Sequence, residues 1–258
     1  MDQQALTDAL SAHARKRIPS GGEIVKQAIA EILKERGFTG DVAWLKANFS
    51  MLVEDIQIRA FEIYLKSQAP AADSAFREVL GSLLPKNPTA DQLFDMLRDN
   101  FFAIDRFFLS LGQGRKARAG GAMETVILTL LQQIGYPHTS QPKIDGQPDF
   151  LFPSIDHFHK MPVDCINFTV KRTLRERWRQ ITTEGSKGGL QFFLATIDEG
   201  IHENDLNSMK DFRVWVVVPS RIKDEIYSAT SHVISFEVFF DQHLDPAMVR
   251  WKKNKVIA

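Results

Sequence analysis

The chain has 258 residues, of which 44% are hydrophobic and 25% are charged, a composition that is ordinary for a globular protein able to bury a core without help. Its 32 basic residues balance 32 acidic ones, which excludes a strong overall field for attracting a polyanion, so any nucleic-acid contact must rest on local patches. The single cysteine, Cys165, excludes an intramolecular disulfide, and the absence of an apolar stretch long enough for a signal peptide or a membrane span predicts a cytoplasmic protein with no membrane partner.

The first part of the chain, residues 1–112, is predicted to be an all-helical N-terminal domain. Apolar residues recur there at helical spacing, in segments that glycine and proline interrupt. We expect the segment 91–111 to form one long buried helix, because large apolar side chains fill it. They are Leu93, Phe94, Leu97, Phe101, Ile104, Phe107 and Phe108.

A shift in composition toward glycine and basic residues at 112–121 marks the predicted boundary to a second domain, residues 113–258. Arg115, Lys116 and Arg118 in this stretch are suited to binding the phosphate backbone of DNA. A solvated basic linker explains them equally well, so both interpretations stay open.

Beyond this boundary the pattern alternates between helices and strands. Helices are predicted at 122–134, ended by Gly135, and at 174–183, 220–229 and Asp245–Lys253. Short apolar segments, rich in β-branched or aromatic residues, predict strands at 149–152, 163–170, 190–197 and 212–218. We therefore predict an α/β domain with a central mixed sheet flanked by helices.

Three acidic residues and one lysine lie at the ends of these elements, namely Glu124, Asp149, Lys171 and Glu184. Asp149 opens one strand and Lys171 closes the next, so two adjacent strands would bring a carboxylate and an ammonium to the same sheet edge. Hydrolysis of a phosphodiester needs a hard cation, a positioned water and charge that stabilises the transition state. Asp149 and Glu184 suit Mg²⁺ as oxygen ligands, and Lys171 suits the water or the developing charge. Spacing alone is weak evidence for this role, because strand-ending lysines are common.

The triplet Arg175, Glu176 and Arg177 follows directly and has two interpretations. In the first, Thr173 is a helix N-cap, Glu176 completes a capping box, and the arginines form a solvated face. In the second, the triplet reads base edges in the major groove. Arginine binds guanine through two hydrogen bonds and a carboxylate accepts from the cytosine amino group, so the triplet fits two successive G·C pairs.

Three segments together resemble one known family. They are RAG at 118–120 with Glu124, PDFLFPS at 148–154, and KRTLRERWRQ at 171–180. In order and approximate spacing they are similar to the EcoRII C-terminal catalytic domain and the related CC/GG-cutting type II restriction endonucleases of the PD-(D/E)xK superfamily. The resemblance spans roughly residues 115–184, and the helical part before residue 112 contributes nothing to it.

The resemblance implies a PD-(D/E)xK nuclease core in which Asp149 and Glu184 hold Mg²⁺. Lys171 corresponds to the catalytic lysine and Glu124 to a helix glutamate near the site. One position departs from the family pattern, which usually has an acidic residue two positions before the lysine, where this chain has Thr169. Threonine is no strong Mg²⁺ ligand, so we expect the acidic function on the following helix, at Glu184.

The activity that the resemblance implies is Mg²⁺-dependent hydrolysis of double-stranded DNA at a palindrome with a CCGG or CC(N)GG core, leaving 5′-phosphates. Arg175 and Arg177 would read the guanines and Glu176 the cytosines. A palindromic site favours a homodimer, or a higher oligomer, in which each subunit cuts one strand. The helical domain would extend the dimer interface, grip flanking DNA or bind a second copy of the site.

Two other functions stay open. The same scaffold would serve a sequence-specific DNA-binding protein that does not cleave, or a repair nuclease that reads DNA structure instead of sequence. Metal-dependent fragments distinguish the nucleases from the binding protein, and the sequences at the fragment ends distinguish the two nucleases.

Overall fold

The computed structural model describes residues 2–144, 147–174 and 191–257, and at 116–120 it describes the backbone without the side chains. Two compact units are present. The helical unit contains Met1–Glu31 and Gln57–Ala122, and the sheet unit contains Ile32–Ile56 and Met123–Ala258. The division of the chain into domains at 112/113 stays a prediction.

Helices fill the chain up to the first strand, as predicted. They are α1 (Gln3–Arg15), α2 (Gly21–Glu35), α3 (Val42–Ala47), α4 (Phe49–Ala75), α5 (Ala90–Asp99) and α6 (Phe101–Ile134). Side chains explain where some of them begin, since Asp41 caps α3 and Thr89 forms a reciprocal capping box with Gln92 at α5. None of the helices in the described ranges is both long enough and apolar enough to cross a membrane.

The segment 91–111 is not one buried helix, so that prediction was wrong. Asn100 adopts a non-helical conformation between α5 and α6. Phe107 is fully buried, whereas Phe94 is 67% exposed and Phe102 is 70% exposed. The apolar residues of this segment occupy more than one helix face, and only one face of a helix can point into a single core.

The glycine-rich stretch 112–121, which lies between two segments predicted as separate helices, is part of α6 and does not interrupt it. Glycine lowers helix propensity by only about 1 kcal/mol relative to alanine, which packing of the flanking turns can offset. The helix predicted at 122–134 is the C-terminal part of α6. It ends where expected, at Gly135, whose φ of +86° is easily reached by glycine.

The described residues form one six-stranded sheet whose strand order follows the chain. The strands are β1 (Thr139–Ser140), β2 (Phe150–Phe152), β3 (Ile166–Val170), β4 (Gln191–Ala195), β5 (Val214–Val218) and β6 (Val233–Ser235). The pairs β1–β2 and β2–β3 are antiparallel, and the pairs from β3 to β6 are parallel. The predicted mixed sheet is therefore confirmed, with its four predicted strands shortened at their ends.

Short helices connect and flank the strands. They are α7 (Ile155–Lys160), α8 (Glu203–Asp211), α9 (Ser220–Glu225), α10 (Phe236–Phe239) and α11 (Asp245–Lys253). The last has the predicted bounds, whereas α9 ends before the predicted residue 229. The helix predicted at 174–183 lies outside the described residues from 175 onward.

Both faces of the central strands are buried. On one face Phe168 and Phe193 pack against Phe239. Their ring centroids lie 5.0 Å and 4.7 Å, respectively, from that of Phe239. On the other face Leu194 and its neighbours join an apolar cluster with Leu206 of α8. Strands buried on both faces are continuous apolar runs in sequence, and they hold the residues at their ends in fixed positions.

Candidate active site

The structure brings Asp149 and Lys171 together at one edge of the sheet. Asp149 directly precedes β2 and Lys171 directly follows β3, and because these strands are antiparallel, the start of one lies beside the end of the other. Asp149 Oδ2 accepts hydrogen bonds from the Val170 backbone N–H at 2.7 Å and from Lys171 Nζ at 3.2 Å. The Asp149 side chain is 13% exposed and that of Lys171 is 36% exposed. The carboxylate is thus fixed, and the ammonium still reaches solvent.

The carboxylate of Asp149 fits a divalent cation. Both donors bind Oδ2, and within the described ranges Oδ1 accepts no hydrogen bond, so this oxygen is available as a ligand. Mg²⁺ prefers oxygen ligands and usually takes only one or two from protein carboxylates. No group of three or more acidic, histidine or cysteine side chains among the described residues could hold a metal. Glu184, the predicted second ligand, lies outside the described residues.

Thr169 occupies the position where the family pattern usually has an acidic residue. The residue is 2% exposed, and its buried hydroxyl has no hydrogen-bond partner within the described part of the chain. An acidic residue there would place a second negative charge in a buried strand beside Asp149. Threonine adds no such charge, so β3 offers Asp149 no second carboxylate.

Gln141 connects Asp149 to Glu124, the predicted acidic residue on α6. Gln141 Nε2 donates to Glu124 Oε1 at 3.1 Å, and its backbone N–H donates to the carbonyl of Asp149 at 2.8 Å. Its φ of +46° lies in a region that few residues other than glycine adopt. A lone glutamine in a loop carries no sequence signal, and its role follows only from these contacts.

An open cleft of about 720 Å³ lies beside Asp149. The loop between β1 and β2 forms its walls, and Lys143 adds a positive charge to them. The lining residues are Gln141, Pro142, Lys143, Ile144, Gln147, Pro148 and Asp149. The candidate active site therefore borders a space that is open to solvent.

The other predicted site residues are only partly described. Arg175, Glu176, Arg177 and Glu184 lie outside the described residues, as do the side chains of Lys116 and Arg118. Arg115 lies on α6 and is exposed, in agreement with either of its two interpretations.

Asp198 is a second residue near the site that the sequence did not reveal. Its carboxylate accepts a hydrogen bond from the backbone N–H of Leu174 at 2.8 Å. Leu174 lies three residues after Lys171 and is 3% exposed. The chain that leaves Lys171 is therefore anchored to the segment that follows β4.

Residues 89–240 match the family described as EcoRII C terminal. The type II restriction enzyme EcoRII of Escherichia coli is 34% identical over 139 residues, which cover 50% of this chain and 34% of that enzyme. The type II restriction enzyme SsoII of Shigella sonnei is 27% identical over 140 residues, which cover 50% of this chain and 46% of that enzyme. The matched segment thus spans less than half the length of either relative.

Two solved structures share the fold. Metal-depleted Ecl18kI in complex with uncleaved DNA has a TM-score of 0.80 at 19% identity, covering 100% of this chain and 88% of its own. Restriction endonuclease PspGI in complex with substrate DNA has a TM-score of 0.64 at 21% identity, covering 93% of this chain and 96% of its own. The predicted mixed sheet with flanking helices is thus the fold that the chain shares with these two structures. Because the family match extends over more than half of its residues, the chain belongs to the EcoRII C-terminal family.

Proposed function

We propose that this protein is a type II restriction endonuclease, a site-specific deoxyribonuclease that hydrolyses double-stranded DNA with Mg²⁺ as cofactor. The observation that carries the proposal is the contact between Asp149 and Lys171 where β2 begins and β3 ends. Family membership supports it, because EcoRII and SsoII are named type II restriction enzymes. Ecl18kI and PspGI, which share the fold, bind DNA in their solved complexes.

In the proposed reaction, Asp149 and Glu184 would hold Mg²⁺, which would supply positive charge to the scissile phosphate. Lys171 Nζ orients the attacking water and stabilises the charge that develops on the phosphate. The water attacks phosphorus in line with the departing 3′ oxygen, so a new P–O bond forms as the P–O3′ bond breaks. The attacking water loses a proton to solvent and the departing oxygen takes one up from solvent, which leaves a 5′-phosphate and a 3′-hydroxyl. Glu124, to which Gln141 donates a hydrogen bond, completes the proposed catalytic group.

Sequence recognition is assigned to the triplet that follows Leu174. Arg175 and Arg177 would bind guanines and Glu176 the paired cytosines, which gives a palindrome with a CCGG or CC(N)GG core. This assignment rests on residue chemistry and on the family resemblance. Each correct arginine–guanine pair contributes about 1–3 kcal/mol of discrimination against a wrong base.

Contacts to the DNA backbone are assigned to Arg115, Lys116 and Arg118, at the start of the proposed catalytic domain, residues 113–258. Such contacts hold a protein in register on the duplex without reading sequence. The helical N-terminal domain, residues 1–112, then remains available for contacts between subunits.

A palindromic target fits a homodimer, and the helical unit offers a surface for a second copy. We call this the α5–α6 apolar surface. Its members are Leu93, Phe94, Leu97, Phe101, Phe102, Phe108 and Leu109, which are 39–70% exposed. With about 200 Å² for each fully exposed side chain, their exposed part amounts to roughly 800 Å², the area that each partner buries in a standard stable interface.

Digestion of DNA of known sequence, with Mg²⁺ and with EDTA, tests the proposed function. We expect discrete fragments only with Mg²⁺, and sequencing should place every end at a CCGG or CC(N)GG site with a 5′-phosphate. Binding without cleavage in any divalent metal would identify a sequence-specific DNA-binding protein instead. Ends scattered over unrelated sequences would identify a nuclease that reads DNA structure.

A further inference from the structure

Residues 172–174 join Lys171 to Arg175, Glu176 and Arg177, which we call the reading triplet. The segment that follows β4 makes hydrogen bonds to the first and the last residue of this connection. The carbonyl of Arg172 accepts a hydrogen bond from Thr196 Oγ1 at 3.2 Å, and the N–H of Leu174 donates to Asp198 Oδ2 at 2.8 Å. The side chain of Leu174 is 3% exposed and packs in the apolar cluster of the sheet unit. The connection is therefore fixed at two backbone atoms and by one buried side chain.

Asp198 is itself held in place from several sides. Its second carboxylate oxygen, Oδ1, accepts from the N–H of Gly200 at 3.0 Å, so each oxygen has its own donor. Its backbone N–H donates to Thr196 Oγ1 at 3.1 Å, and its carbonyl accepts from the Tyr227 hydroxyl at 2.8 Å. A carboxylate with this many fixed partners gives Leu174 one defined acceptor position.

Buried side chains support these contacts. Thr196 is 0% exposed and Tyr227 is 5% exposed. The Tyr227 hydroxyl also accepts from the N–H of Ile201 at 3.1 Å, so it bridges two points of the segment after β4. Burial raises the pKa of Tyr227, and the nearby charge of Asp198 adds to the rise, so the hydroxyl keeps the proton that it donates.

The parallel pairing of β3 with β4 explains why this segment reaches the connection. The C-terminal ends of parallel strands lie side by side, and the N–H of Lys171 donates to the carbonyl of Ala195 at 2.9 Å, continuing the ladder beyond β3. Asp198 lies three residues beyond Ala195, beside the chain that leaves Lys171. Chain connectivity then places Leu174 between the proposed catalytic lysine and the triplet that begins at Arg175.

We propose that Asp198 is a positioning residue for DNA recognition. Acting through the Leu174 amide, it fixes the residue that directly precedes the triplet at one position relative to Lys171. The inference rests on the proposed function and deepens it, because it gives specificity a determinant that does not contact the bases. Correct bidentate base contacts tolerate little displacement, so loss of this anchor weakens cognate contacts more than contacts to the DNA backbone.

The test compares Asp198→Ala and Asp198→Asn with Asp211→Ala. Asp211 is exposed and makes no side-chain hydrogen bond within the described residues, so it is a matched acidic control. The measurements are kcat/KM for a duplex with the cognate core, kcat/KM for the same duplex with one core pair changed, and hydrogen exchange of the Leu174 amide. Competition binding in EDTA between the same two duplexes gives a readout that does not depend on catalysis.

We expect Asp198→Ala to lower the cognate-to-altered ratio about tenfold or more, since a hydrogen bond to a charged group is lost, and to accelerate exchange at Leu174. Asp198→Asn retains an acceptor for Leu174 and should recover part of the ratio. Asp211→Ala should leave the ratio and the exchange rate unchanged. Thr196→Val removes the contacts of the hydroxyl to the Arg172 carbonyl and to the Asp198 N–H but keeps the Asp198 carboxylate. It should lower the ratio by a smaller factor, and it carries the test if Asp198→Ala does not fold.

Two results would overturn the inference in distinguishable ways. If Asp198→Ala melts at a lower temperature but keeps the wild-type ratio, Asp198 has a structural role only and the proposed function stands. If the wild-type protein neither cuts nor preferentially binds the cognate duplex, the proposed function fails and the role of Asp198 fails with it.

Discussion

Lys171 Nζ lies 3.2 Å from Asp149 Oδ2, and the same oxygen also accepts a backbone hydrogen bond from β3. Removal of the lysine therefore leaves the carboxylate in place. We expect Lys171→Ala to reduce the cleavage rate by about 10²-fold or more while site-specific binding in EDTA and the fold persist. Lys86→Ala, at an exposed lysine, is the control. Loss of folding in Lys171→Ala would show that Lys171 is structural.

Asp149 has a structural contact as well as a proposed catalytic one, and two substitutions separate them. Asp149→Asn keeps an acceptor for the Val170 N–H, whereas Asp149→Ala leaves this buried donor unpaired. Both variants should lose cleavage, but only Asp149→Ala should lose about 1–3 kcal/mol in the free energy of unfolding. Urea denaturation measures the difference. Equal stabilities for the two variants would contradict the structural role of this hydrogen bond.

Gln141 should matter for cleavage through Glu124. Gln141→Ala removes the side-chain hydrogen bond to Glu124 and keeps a backbone N–H for Asp149, so we expect cleavage to slow about tenfold with little change in binding. Gln141→Gly, which favours the positive φ at this position, controls for backbone effects. If the two residues act together, Glu124→Ala should slow the Gln141→Ala variant less than it slows the wild type. Additive effects would disprove the coupling.

Asp164 predicts a pH-dependent contribution to stability. It accepts hydrogen bonds from His157 Nε2 at 2.8 Å and from Trp251 Nε1 at 3.0 Å, and it pairs with Arg250. Burial by itself raises the pKa of Asp164, but the hydrogen bonds and charges of His157 and Arg250 outweigh it and bring the pKa below the ordinary value of an aspartate. A folded-state pKa below the unfolded one stabilises the protein above the unfolded value, and this contribution is lost as the pH falls through the folded value.

We therefore expect Asp164→Asn to lower the free energy of unfolding by about 1–2 kcal/mol at pH 7 and by less at pH 3. Urea denaturation at the two pH values measures both gaps. Asp156→Asn, at an exposed position on α7, should leave the free energy of unfolding unchanged at both pH values. A gap of the same size at both pH values would argue against a charged Asp164 as the source of the stability.

The α5–α6 apolar surface predicts the oligomeric state. Phe102→Glu replaces a side chain that is 70% exposed, so it should leave the fold intact and weaken self-association. Sedimentation velocity should show a shift toward monomer, and cleavage of a palindromic site should shift toward nicking of one strand. Val249→Glu, at an apolar residue 69% exposed outside this surface, is the matched control. An unchanged dimer would place the subunit interface elsewhere.

The strands of the central sheet could be predicted because burial on both faces requires continuous apolar runs. Val214–Val218 is such a run, and Gly135 marks a helix end by the backbone conformation that it allows. The edge strands Thr139–Ser140 and Val233–Ser235 were missed, since two or three residues are too few to show an alternating pattern. The exposed phenylalanines of α5 and α6 made the prediction of one buried helix wrong. Hydrophobicity alone does not show which apolar side chains the folded chain buries.

The candidate site also contains residues that could be predicted from the sequence and residues that could not. Asp149 and Lys171 could be placed together from the sequence, because each lies at the end of a recognisable strand. Gln141 and Asp198 could not, since their contacts join segments distant in sequence and depend on strand pairing. Glu184 and the reading triplet stay predictions that rest on chemistry and family resemblance.

The two pairing directions of β3 restrict where the chain can tolerate insertions and deletions. β3 pairs antiparallel with β2 and parallel with β4, so the start of β2 and the ends of β3 and β4 meet at one rim of the sheet. Deletion of one codon within β3 would invert its side chains and separate Lys171 from both neighbouring strands at once. Insertions at the opposite rim, where β3 begins and α8 leads into β5, leave this meeting point intact. Evolution and protein engineering can therefore lengthen the chain at that opposite rim at far lower risk to cleavage.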